Sequence, residues 1–105
     1  MANARSASPV EVWLEAAPAD GKVVVQAFAR GGPVPQLRYE LSADKTAGSG
    51  SSTTRQAGLR KLACCDPVVL STISLGGGAN DRYRITLKLF AGNELLAQTS
   101  LDWPE

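Results

Sequence analysis

The sequence predicts an all-β protein, a seven-stranded immunoglobulin-like antiparallel β-sandwich. Three observations carry that prediction. Apolar and polar residues alternate with period two, and no stretch sustains a helical period. The alternating runs recur at a spacing of roughly 8–12 residues, as in sandwich folds. Gly, Pro and Asp-Gly punctuation falls between the runs. With 105 residues the chain is the size of one ordinary domain, and 44% apolar residues suffice for a core.

The first strand is "VEVWLEA", with Val10, Val12 and Leu14 on one side and Glu11, Trp13 and Glu15 on the other. Asp20-Gly21 supplies turn chemistry before the β-branched run "KVVVQAFAR". "GGPVP" interrupts the chain, and "QLRYELS" resumes with Leu37, Tyr39 and Leu41 on one face. "PVVLSTISL" is another β-rich run, closed by Gly76-Gly77-Gly78. "DRYRITLKLF" sets Tyr83, Ile85, Leu87 and Leu89 against Arg82, Arg84, Thr86 and Lys88. Gly92-Asn93 reads as a hairpin turn into "ELLAQTSLDW", with Leu95, Ala97, Leu101 and Trp103 on the buried side.

These are six strands, and the seventh must come from the polar stretch that follows "RYELS". A flexible linker is rich in Gly and Ser but does not usually carry Thr-Thr-Arg-Gln, whereas threonine is a good strand residue. A strand at a sheet edge tolerates polar residues on both faces. The expectation is a loop over Ala47 to Gly50 and an irregular edge strand over Ser51 to Leu62. Residues 1–8 are expected to form a flexible N-terminal segment, and 9–105 a single domain.

Chemistry is sparse. There is no histidine, which removes the commonest general base and metal ligand. Gly76-Gly77-Gly78 is followed by neither Lys-Ser nor Lys-Thr and precedes a strand, so it is not a phosphate loop. "AGSGSST" lacks the nucleophile-elbow pattern, and the acids are scattered singly along strands. Cys64 and Cys65 are adjacent, and neighbouring cysteines rarely bridge each other because the preferred Cα separation is out of reach. Arg60 and Lys61 lie near enough in sequence to favour a thiolate, so a thiol-dependent redox protein using Cys64 and Cys65 stays open beside two inert thiols. The expectation is a non-enzyme with neither metal nor cofactor. No apolar run approaches the ~20 residues that cross a bilayer as a helix. "MANARSAS" lacks the apolar core of a secretory signal, as a mature exported chain given a new Met also would.

Charge is the informative feature. The net charge is +1. Yet Lys22 to Phe90 holds ten basic residues against Glu40, Asp44, Asp66 and Asp81, while the flanks hold Arg5 against six acids. In an immunoglobulin-like sandwich the third, sixth and seventh strands share a sheet with the sixth in the middle. Arg38 on "QLRYELS" then lies beside Arg84 and Lys88, all facing solvent, with Arg82 at the rim. A row of like charges repels itself and invites an explanation, either solubility and edge protection or a partner. A basic face could serve nucleic acid, membrane lipid or an acidic protein; nucleic-acid binding normally interleaves aromatics for stacking, and Phe90 alone shares this face. An adhesive or structural sandwich subunit is the alternative of a different class.

From Leu37 onward the chain resembles the curli-associated amyloid-inhibiting chaperones of the CsgC and CsgH type. The resemblance rests on "RYEL", the Gly/Ser loop with Thr54-Arg55-Gln56, and Asp66-Pro67 leading into "PVVLSTISL". It continues through "DRYRITLKL" to Trp103-Pro104. It implies a periplasmic, non-enzymatic chaperone whose signal peptide has been removed. Such a chaperone keeps the curli major amyloid subunit from nucleating fibres early, binds it transiently, and acts as a monomer without nucleic acid or membrane. The family's positively charged sheet face would map onto Arg82, Arg84 and Lys88, with Arg38 and Arg55 as additions. The CsgC branch carries a Cys-x-Cys pair entering its third strand. Here that stretch is "VPQLRYEL", which fits the CsgH branch and carries over no redox role.

Overall fold

Alternating burial organises the chain into extended strands. The computed structural model describes residues 2–6, 10–48, 50–63, 66–76 and 81–104. The strands are β1 (Ala2–Ser6), β2 (Val10–Ala19), β3 (Lys22–Gly31), β4 (Val34–Ala47), β5 (Gly50–Leu62), β6 (Val68–Gly76), β7 (Arg82–Ala91) and β8 (Glu94–Trp103). They form two antiparallel four-stranded sheets, a back sheet ordered β1-β2-β3-β6 and a front sheet ordered β5-β4-β7-β8. The expected sandwich is present, with β7 between β4 and β8 as the strand order required.

Three details differ from the sequence expectation. Ala2–Ser6, within the expected N-terminal segment 1–8, pairs antiparallel to β2 and runs beside β8. Five polar and small residues give no alternation to detect, so backbone pairing at the open edge of β2 defines this strand. The loop expected at Ala47 to Gly50 is tighter, because Ala47 and Gly50 already pair. The strand expected to be irregular is regular, in register with β4 from Gly50 to Arg60, and deviates only near Val34/Leu37.

Turn chemistry sets the other registers. Asp20 (φ 51°) and Gly21 (φ 78°) are both left-handed between paired Ala19 and Lys22, the two-residue turn whose twist suits a hairpin. Gly92 (φ 61°) opens the corresponding turn between β7 and β8.

The core lies between the sheets. Val12, Leu14, Val25 and Leu70 of the back sheet face Leu37, Leu41, Ile85, Leu87 and Leu89 of the front sheet, each at most 1% exposed. Among the described residues no buried side-chain nitrogen or oxygen lacks a hydrogen-bond partner, as stable interiors require. The molecule measures 42 × 25 × 18 Å. At about 3.3 Å per residue the long hairpin of β4 and β5 spans most of its long axis.

On the outer face of the back sheet, Trp13 stacks on Phe28 with ring centroids 5.3 Å apart. Arg30 lies over the Trp13 ring and pairs with Glu11 at 2.7 Å. This aromatic pair is 7% exposed at Trp13, so the large ring is covered by its neighbours.

Candidate partner-binding face

Burial of Tyr83, Ile85, Leu87 and Leu89 forces Arg82, Arg84, Thr86 and Lys88 of β7 to the outside of the front sheet. The same rule on β4 buries Leu37, Tyr39, Leu41 and Ala43 and turns Arg38, Glu40, Ser42 and Asp44 outward. Register then builds cross-strand rows. Arg84 lies between Asp44 and Asp102, and Lys88 between Glu40 and Gln98. Arg55 of β5 lies opposite Ser42, and Arg38 lies between Leu59 and Phe90. All five cations named from the sequence, Arg38, Arg55, Arg82, Arg84 and Lys88, therefore share one face.

They do not form an unbroken row of like charge. Glu40, Asp44 and Asp102 occupy the same rows, so five cations stand against three carboxylates. Arg84 is engaged by Asp102 through a two-bond fork, Nε to Oδ1 at 3.0 Å and Nη2 to Oδ2 at 3.2 Å. These bonds and the carboxylate charge, with a smaller push from Asp44, raise the Arg84 pKa and hold it charged. Arg38 donates to Glu40 and lies over the Phe90 ring, 4.2 Å from its centroid. Asp44 accepts from the Thr53 hydroxyl at 2.8 Å. At the rim Lys45 pairs with Asp81 at 3.4 Å.

Arg55, Arg82 and Lys88 form no ion pair among the described residues. Arg55 and Lys88 wall a shallow depression of about 500 Å³ whose floor includes Ser42, Ala57 and Thr86. Its origin is in the sequence: Ser42 and Thr86 share the Arg55 row, and Ala57 and Glu40 share the Lys88 row, so short side chains lie between two cations at opposite corners, with Glu40 beside Lys88. The back sheet's outer face is balanced, with Lys22 and Arg30 against Glu11 and Glu15 among its described side chains. The polarised charge of the sequence thus becomes a modest excess on the front face.

Leu95 was expected on the buried side of β8, yet it is 45% exposed. The register shifts between Leu89 and Phe90, so Phe90 pairs with Leu95, and Leu96 packs against the core instead. A bulge cannot be seen in an alternation count, which assumes an unbroken pleat. The acids opposite the cations were legible, since the alternation that buries Leu37, Tyr39 and Leu41 also turns Glu40 outward. On β5, Arg55 faces out while Gln56 faces the sandwich edge and accepts from the Ser71 hydroxyl of β6. Cys64 and Cys65 lie outside the described residues.

Comparison with known proteins agrees with this architecture. The chain superposes on the solution structure of R. palustris CsgH with a TM-score of 0.68 and 27% identity, over 89% of this chain and 91% of that one. It matches the E. coli curli protein CsgC, in a SeCys form, with a TM-score of 0.65 and 19% identity, over 94% and 100% of the two chains. The second likeness shows the shared fold. Compared with curated protein sequences, the chain has no significant match. The family model of the CsgH protein matches residues 11–99, from the first strand of the sandwich core into the last. Matched by that model over most of its 105 residues, this chain belongs to the CsgH family.

Proposed function

We propose that this chain is a periplasmic chaperone that inhibits premature amyloid nucleation of the curli major subunit through weak, electrostatically guided contacts of its front sheet. One observation carries the reading: in a member of the CsgH family, Arg55, Arg82 and Lys88 stand on one sheet face without a carboxylate partner among the described residues. The partner is an acidic or locally acidic disordered chain, bound transiently by a monomer, and the action is non-enzymatic.

The physics favours steering over tight holding. Exposed ion pairs contribute only ~0–1 kcal/mol each, so three unpaired cations cannot form a long-lived complex. They can accelerate encounter and bias orientation, with an effect that salt screens. Nucleation inhibition asks for no more, because each 1.4 kcal/mol added to the nucleation barrier slows it about tenfold. The Arg84–Asp102 and Arg38–Glu40 pairs are largely self-satisfied and contribute less to the outward field.

The test is thioflavin-T fluorescence of the purified curli major subunit with R55E/R82E/K88E. Reversal at these exposed sites leaves circular dichroism and melting close to those of the parent and removes the lag extension. Inhibition equal to the parent's would overturn the basic-face reading.

A further inference from the structure

One row of the front sheet is chemically unlike the others. Across β5, β4, β7 and β8 it reads Leu59, Arg38, Phe90, Leu95. Leu59 is 66% exposed and Leu95 45%, two of the three large apolar residues most open to solvent among those described. Between them the Arg38 guanidinium lies over the Phe90 ring at 4.2 Å and is also bonded to Glu40, so its plane is fixed from two sides. The result is an apolar and cation–π platform about 14 Å wide, three strand spacings. In the adjoining row, two residues or ~7 Å along β7, Lys88 stands beside Glu40, and Arg55 forms the opposite wall of the depression that all three line.

We propose that this platform seats an aromatic or branched apolar side chain of an extended protein segment, and that a carboxylate two residues along the segment enters the depression between Lys88 and Arg55. The spacing follows from strand geometry. An extended chain repeats side chains on one face every second residue, the same ~7 Å that separates the Phe90 row from the Lys88 row. Charge complementarity selects the acid, since Glu40 beside Lys88 is already engaged by Arg38 and leaves the lysine available. The open shape selects an extended segment over a helix, because the step from the Phe90 row to the depression runs along β7. The inference rests on the front sheet being a contact surface for a protein chain, and it names the pattern that surface reads.

The experiment is a titration of the full ¹⁵N-labelled protein with a blocked heptapeptide, Thr-Thr-Tyr-Thr-Asp-Thr-Thr. Two control peptides replace Tyr by Ser or Asp by Asn. The expected result is amide shifts in β4, β5, β7 and β8 around Leu59, Lys88, Phe90 and Leu95. Each control peptide binds about fivefold or more weakly, and only the Asp-containing peptides respond to salt. L59S/L95S, both at exposed positions, keeps its fold and binds the Tyr peptide no better than the Ser peptide. No shifts up to on the order of 5 mM peptide, equal binding of the Tyr and Ser peptides, or unchanged binding by L59S/L95S would each overturn the proposal. Fibril kinetics separate this proposal from the reading beneath it. If L59S/L95S inhibits like the parent while R55E/R82E/K88E does not, the platform is refuted and the basic face stands. If R55E/R82E/K88E still inhibits, the basic face itself fails.

Discussion

At Gly58 a missing side chain is a packing requirement. A Cβ there would lie 2.8 Å from both Cε2 and Oη of Tyr39, whose ring is 7% exposed and lies under the Arg60 guanidinium. Gly58→Ala must therefore displace a packed ring, and equilibrium denaturation should show a loss of about 1–3 kcal/mol. The pairs on the front sheet predict the opposite kind of result. Arg84 and Asp102 are 64% and 62% exposed, so R84Q/D102N removes a neutral, screened pair. Stability should change by less than about 1 kcal/mol, and the amyloid lag extension should persist. A lost lag extension in that variant would show that the face acts through Arg84 rather than through Arg55, Arg82 and Lys88.

Strands are where the sequence was most readable. Period-two alternation in "DRYRITLKLF" specified both the buried row of Tyr83, Ile85, Leu87 and Leu89 and the cations opposite it. Leu87 is fully buried in that row, and Leu87→Ala should cost about 2–5 kcal/mol in chemical denaturation. Pairing across strands was readable only partly. The position of Arg38 beside β7 followed from topology, but Leu95 turned outward because the bulge shifts the pleat by one residue. β1 was invisible for another reason: its order comes from backbone hydrogen bonds to β2, which no side-chain pattern announces. Removing residues 1–8 should therefore speed hydrogen exchange at alternate amides of β2 while β7, inside the front sheet, stays protected.

Across the whole molecule, charge and shape divide the labour between the two sheets. The back sheet covers its large aromatic and balances its described outer charges, so its outer face is quiet. The front sheet leaves Arg55, Arg82 and Lys88 of its outer face without carboxylate partners among the described residues, beside an open apolar row. Long-range attraction from such a face decays within a Debye length, about 14 Å at 0.05 M salt and about 4 Å at 0.5 M. Partner encounter should therefore be the step that salt suppresses, while the fold, held by an apolar core, should be indifferent to the same change.

The measurement that tests this account most directly is thioflavin-T fluorescence of the curli major subunit with this protein at about one-hundredth its concentration, at about 0.05 M and about 0.5 M salt, each against the subunit alone. The account predicts a lengthened lag at low salt that shrinks toward that of the subunit alone at high salt, with unchanged circular dichroism of this protein. A lag unaffected at both salts, or extended equally at both, would contradict electrostatic guidance by the front sheet.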